Sequence, residues 1–264
     1  MWTREQLELL LAERFSPTSV GRFLVASQRR ASEVHRSRPE LRLQSARWIA
    51  AGAAAWCALA LARVEPFRGR VRNGLAWWAV TAVMLDWHLG MVETEDGRPR
   101  PLGPADALTL ARVWLVPAAL SAPTPLVCAA GFATDVLDGR AARAAEPTRA
   151  GRDLEGLADA CFAGAVITGL RRGDRIGRTA SGAELLRLAA GFAYSLAVYF
   201  GRARAPEPRL TRAARLTTPV RAGGLIAAAA GRPRLGTALV GAGCAWSLAL
   251  LSGALRGQAP AGER

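Results

Sequence analysis

The 264-residue sequence predicts an all-α, polytopic integral membrane protein. Hydrophobic residues make up 51% of the chain, and their distribution decides the class. Apolar runs about long enough to cross a bilayer recur at 48–62, 73–91, 105–121, 124–142, 154–170, 183–200, 216–230 and 235–255. Several are short and rich in Ala and Gly, so the expected number of spans lies between six and eight. Arginine-rich connections separate the runs and hold the mean hydropathy to +0.13.

Residues 1–47 form a cytosolic, basic and amphipathic segment. Thr3 and Gln6 have the spacing of a capping box ahead of a leucine-rich helix that Ser16-Pro17 should end. No cleavable signal peptide is expected, because the start lacks a basic flank and an uninterrupted apolar run. From Phe23 to Arg47, apolar residues alternate with arginines, which suits either an anionic membrane surface or a solvated linker. His35 is expected to have no specific partner. Residues 48–100 add two transmembrane helices and a linker, with Asp86 and His88 at the end of the second helix. Those two are expected to cap that helix or contact the core at the interface, not to act as an acid–base pair. Residues 101–256 form the main membrane domain, and 257–264 a cytosolic tail.

The net charge of +14 comes from 35 arginines; the chain has no lysine. That excludes a Walker lysine and a Schiff-base lysine. The arginines flank apolar runs and form no nucleic-acid motif, so anionic lipid headgroups suit them better than nucleic acid. Arginine bias places both termini, 92–104, 143–152 and 201–215 on the cytoplasmic side, with Arg171, Arg172, Arg175 and Arg178 as exceptions. The four cysteines, Cys57, Cys128, Cys161 and Cys244, fall inside apolar runs without metal spacing and read as small buried residues.

Function is written in one stretch, Asp135 to Asp159. Asp135, Asp138, Gly139 and Ala142 fall at i, i+3, i+4 and i+7 and share one helix face. Gly151, Glu155 and Asp159, spaced by four, share a face of the next helix. A turn around Glu146-Pro147-Thr148 should make the two helices antiparallel and bring the acids together. Acids so gathered repel unless something positive lies between them, and one or two hard divalent cations suit an all-oxygen site. Pairing of the same acids with Arg140, Arg143, Arg149 and Arg152 is the plainer alternative. Against it, Gly139, Ala142 and Gly151 clear space beside the acids, and lone carboxylates are costly next to apolar runs.

These residues resemble the signature of the CDP-alcohol phosphatidyltransferase family, Asp-x2-Asp-Gly-x2-Ala-Arg-x8-Gly-x3-Asp-x3-Asp. The match is Asp135, Asp138, Gly139, Ala142, Arg143, Gly151, Glu155 and Asp159. It departs twice: Glu155 stands where the family has Asp, and the spacer between Arg143 and Gly151 has seven residues. Upstream, Ala107-Leu108-Thr109-Leu110-Ala111-Arg112 followed by Pro117 is similar to the segment opening the family's core. Downstream, Arg215-x-x-Thr218-x-x-Arg221 looks like its basic stretch.

The resemblance implies a six-helix core over 101–256, preceded here by about two extra helices, in a homodimer. It implies transfer of a phosphatidyl group from a CDP-linked lipid, CDP-diacylglycerol, to an alcohol acceptor, with release of CMP. The implied cofactor is Mg2+ or Mn2+, as two ions, held by Asp135, Asp138, Glu155 and Asp159, with Asp159 also the general base. Asp135, Gly139, Ala142, Arg143 and Gly151 would bind the nucleotide, and Arg215, Arg221 and Arg112 an acceptor phosphate. A non-catalytic membrane protein that keeps the fold and binds cation or nucleotide is the alternative.

Overall fold

The computed structural model describes residues 2–94, 97–144, 148–202 and 215–256. Every described element is helical apart from one isolated bridge between Glu93 and Pro99. The chain divides into two compact units, residues 1–122 with 130–162, and residues 123–129 with 163–264.

The first unit opens with α1 (Trp2–Ala12) and α2 (Pro17–Ser37). Thr3 lies inside α1 and its buried hydroxyl has no hydrogen-bond partner among the described residues, so the expected capping box does not form. The break at Ser16-Pro17 does form: Ser16 Oγ accepts the Ser19 N–H at 3.2 Å, and Pro17 occupies the first turn, where no N–H is needed. Phe23–Arg47 is helical except at Arg38, running through α2 into α3 (Pro39–Leu61). His35 has an acidic neighbour, although its buried Nε2 makes no hydrogen bond among the described residues. Its Nε2 lies 3.0 Å from Asp86 Oδ1 on α4 (Val71–His88), a pairing that no local spacing announces.

Helices α3 and α4 approach closely through reciprocal glycine–tryptophan contacts. A Cβ at Gly52 would sit 2.5 Å from the Trp78 ring, and one at Gly74 the same distance from Trp56. Indole N–H groups reinforce the packing: Trp78 donates to Ile49 O at 2.7 Å and Trp114 to Gly52 O at 2.8 Å. Trp56, Phe67 and Trp114 form an aromatic cluster with centroid separations of 4.7–5.5 Å.

The run at 105–121 is not one helix. It splits into α5 (Pro104–Trp114) and α6 (Val116–Ser121), because Pro117 has no N–H and its ring obstructs the carbonyl one turn back. Next come α7 (Pro125–Ala144) and α8 (Arg149–Arg172). Residues 145–147 of the expected turn lie outside the described residues. Gly131 meets Phe162 and Asp135 meets Asp159, so numbering rises on one helix as it falls on the other: the pair is antiparallel. A Cβ at Gly131 would lie 2.0 Å from the Phe162 ring. Only glycine lets that buried ring fill the seam.

In the second unit, α9 (Arg178–Arg202), α10 (Thr218–Ala229) and α11 (Pro233–Arg256) follow. Glycines again set the spacing: a Cβ at Gly236 would lie 2.6 Å from Ala228 Cβ, and one at Gly243 2.4 Å from Arg221 Cγ. Among the described residues, two helical segments are long and apolar enough to cross a membrane, Arg178–Gly201 and Pro233–Ser252.

Candidate active site

Asp135 and Asp138 lie on the inward face of α7, and Glu155 and Asp159 one turn apart on α8. Oxygens of Asp135, Glu155 and Asp159 all lie within 4.8 Å of one another. Asp138 joins them through a residue the sequence offered for another purpose. Arg112, on α5, is 1% exposed. Its Nη1 donates to Asp159 Oδ1 and its Nη2 to Asp138 Oδ2, while Nη2 also lies 3.8 Å from Asp135 Oδ1. Arg112 Nε donates to Thr134 Oγ1 at 3.3 Å. The guanidinium is thus a strut among the acids; the expectation had placed it on an acceptor phosphate.

The four carboxylates gather around the Arg112 guanidinium, and like charges this close are costly to ionise together. The donor set is all oxygen, which suits a hard divalent cation. One atom points the same way. Asp138 Oδ2 accepts from Arg112 and, at 3.2 Å, from Thr109 Oγ1, whereas the buried Oδ1 has no partner among the described residues. A buried carboxylate oxygen without a partner is costly, and a cation would satisfy it. The residues therefore fit a divalent metal. The side chain of Asp159 is 42% exposed against 3% for Asp138, so Asp159 can meet an incoming molecule and Asp138 cannot.

The small residues divide. Gly139, on the same face as Asp138, is half-buried. Gly151 is hemmed in by protein: a Cβ there would lie 2.9 Å from both Asp106 Oδ1 and Thr148 Oγ1. Ala142 and Arg143 belong to α7 by their backbone, and their side chains lie outside the described residues. The sequence reading gave no role to Asp106, Thr109, Thr134 or Thr148. Two carried a local signal: Asp106 stands in the first turn of α5, and Thr148 precedes α8 as an N-cap, its Oγ1 accepting the Gly151 N–H at 3.0 Å.

In the second unit, Arg215 is exposed and Arg221 is buried. Arg221 donates to Thr217 Oγ1 at 3.3 Å, Thr218 Oγ1 at 3.0 Å and Glu184 Oε1 at 2.5 Å. Glu184, 1% exposed, also takes two bonds from Arg187, at 2.8 and 2.6 Å, and one from Cys244 Sγ at 3.0 Å. The sequence reading passed over Glu184, although an acid inside an apolar run is itself a signal.

The model of the CDP-alcohol phosphatidyltransferase family matches residues 103–249, more than half of the chain. The chain belongs to that family. Comparison with curated proteins and with solved structures returned no match. CDP-alcohol phosphatidyltransferases transfer a phosphatidyl group from a CDP-alcohol in phospholipid synthesis and typically depend on divalent metal. The matched segment opens at Gly103, immediately before α5, and takes in all four acids and Arg112.

Proposed function

We propose that this CDP-alcohol phosphatidyltransferase uses CDP-diacylglycerol as donor, requires Mg2+ or Mn2+, and passes the phosphatidyl group to an alcohol with release of CMP. One observation supports this above others. Within the family segment, oxygens of Asp135, Glu155 and Asp159 lie within 4.8 Å of one another, and Arg112 ties Asp159 to Asp138, whose buried Oδ1 has no partner among the described residues. These four would hold the metal, which when bound neutralises the pyrophosphate and the departing CMP.

The chain's own groups do the rest. The Asp159 carboxylate takes the proton from the acceptor hydroxyl. The hydroxyl oxygen then bonds to the phosphatidyl phosphorus as the bond from that phosphorus to the CMP oxygen breaks. Arg112 holds Asp138 and Asp159 in place against their mutual repulsion. Asp135, Gly139, Ala142, Arg143 and Gly151 line the proposed nucleotide site. Arg215, Arg221 and Arg112 are the basic groups proposed for an acceptor phosphate. For Arg112 and Arg221, that contact would have to share donors already committed to carboxylates.

Membrane association has support from the two apolar segments and from the family. We place the site on the cytoplasmic side, by arginine bias, in a protein of six to eight spans working as a homodimer. The deciding experiment incubates purified protein with CDP-diacylglycerol, a panel of alcohols and alcohol phosphates, and Mg2+ or Mn2+. Metal-dependent, acceptor-dependent CMP release is expected. Cation binding without CMP release under any acceptor would favour the non-catalytic alternative.

A further inference from the structure

Residues 2–102 precede the family segment, yet their contacts reach the first turn of α8, where Glu155 and Asp159 begin their descent. The link is a short hairpin. Arg100 N donates to Val92 O at 3.2 Å and Thr94 N to Arg98 O at 2.9 Å, so 92–94 and 97–100 run antiparallel. The two N-terminal helices grip it. Arg38, between α2 and α3, donates to Val92 O at 3.1 Å and to Arg100 O. Gln44 on α3 holds the exit strand at both backbone groups, donating to Leu102 O at 2.9 Å and accepting the Leu102 N–H at 3.1 Å.

This held hairpin meets α8. Glu93 O accepts the Arg149 N–H at 3.0 Å, satisfying the first amide of the helix, which has no partner within it. Immediately after Leu102, Asp106 makes a second contact. Its Oδ2 accepts the Gly103 N–H at 2.7 Å, fixing the start of α5, and its Oδ1 accepts from Thr148 Oγ1 at 3.4 Å. Gly151 lets this contact close, since a Cβ there would strike both partners. Glu155 lies one helical turn beyond Gly151, about 6 Å along the axis. The start of α8 is thus tied to the start of α5 at one end, as Arg112 and Asp159 tie the two helices at the other.

We propose that the N-terminal extension is a positioning element for the carboxylate site, acting directly through the Glu93 carbonyl on the first turn of α8 and indirectly, through the grip of Gln44 on Leu102 at the entry to α5, on the Asp106 contact. The proposal rests on the reading of the site given above, and its test separates the two. In metal-free, full-length protein in detergent, amide hydrogen exchange is followed in peptides covering 148–159 for Arg38→Ala, Asp106→Ala and Asp106→Asn. Loss of a cap should speed exchange there about 2- to 30-fold in Arg38→Ala and Asp106→Ala. Asp106→Asn should stay closer to the parent than Asp106→Ala, because its amide oxygen can accept the Gly103 N–H and its NH2 can donate to Thr148 Oγ1 in place of the bond the carboxylate accepts there. Mn2+ binding to the same variants should weaken about tenfold in the two Ala variants, as for other groups that orient ligands without touching metal. Trp78→Phe, which removes an indole bond elsewhere in the extension, should change neither quantity. Unchanged exchange in both Ala variants, or equal acceleration in Trp78→Phe, would overturn the proposal. If exchange and Mn2+ binding respond as expected but the parent releases no CMP, the proposed function fails and the positioning role stands.

Discussion

The Arg112 guanidinium donates to Asp159 through one terminal nitrogen and to Asp138 through the other, so a single buried cation spans the acids of two helices. Arg112→Leu would remove the guanidinium that links Asp138 to Asp159. Breaking a buried pair typically costs about 3–5 kcal/mol. The variant should melt well below the parent in metal-free buffer and recover part of the difference with Mn2+. Arg112→Lys keeps the charge but not the planar fork that reaches both carboxylates from separate nitrogens, and should fall between them. Equal melting of all three proteins would remove Arg112 from the site's electrostatics.

Asp159→Asn should lose about 100- to 10,000-fold in turnover, because an amide cannot take the acceptor proton. Nucleotide binding should persist, since shape and one oxygen ligand remain. Steady-state CMP release and CMP titration read the two separately. A variant keeping half the parent rate would leave the proton with another group.

Glu155 departs from the family pattern, and its oxygen meets those of Asp135 and Asp159. Glu155→Gln should weaken metal binding strongly, since a charged ligand becomes neutral. Glu155→Asp changes only reach and should alter the balance between Mg2+ and Mn2+, because magnesium tolerates poor geometry less well. Activity measured across titrations of both metals checks this. If both variants follow the parent curve, position 155 is not a ligand.

Gly131→Ala should destabilise the α7–α8 pair. The added methyl would lie 2.0 Å from the ring of Phe162, which is 1% exposed and has nowhere to withdraw. Overpacking of this kind costs about 1–3 kcal/mol. Gly131→Ala with Phe162→Leu should regain part of the loss in a detergent melt. A single variant as stable as the parent would show the seam to be looser than drawn.

Glu184→Gln removes the carboxylate that buried Arg221 and half-buried Arg187 share, and should cost about 3–5 kcal/mol in thermal or denaturant unfolding. Its effect on Mn2+ binding should be small beside that of Arg112→Leu. A Glu184→Gln protein that melts with the parent would show that the two arginines find other partners.

The acids were legible in the sequence because their spacing is local. Positions i, i+3 and i+4 share a helix face whatever surrounds them. The break at Ser16-Pro17 was legible for the same reason, being fixed by one ring and one hydroxyl. Partner choice was not. Arg112, Arg221 and His35 each found an acid from 26 to 51 residues away, and nothing in their own neighbourhoods selects it. The split of 105–121 at Pro117 was readable and was lost to the length of the apolar run. Asp106 and Thr148 fell between: each has a local capping signature, but their contact spans 42 residues.

The indole bonds that tie α3, α4 and α5 together have an optical consequence. Of the eight tryptophans, seven lie at or before residue 114 and the last is Trp246; neither α7 nor α8 has any. Intrinsic emission is therefore a reporter of the N-terminal helices and nearly blind to the acid-bearing pair. A melt followed by indole fluorescence and one followed by amide circular dichroism weigh different parts of the chain. Where the two curves part, the gap between them times the loosening of one region against the rest, with no label attached.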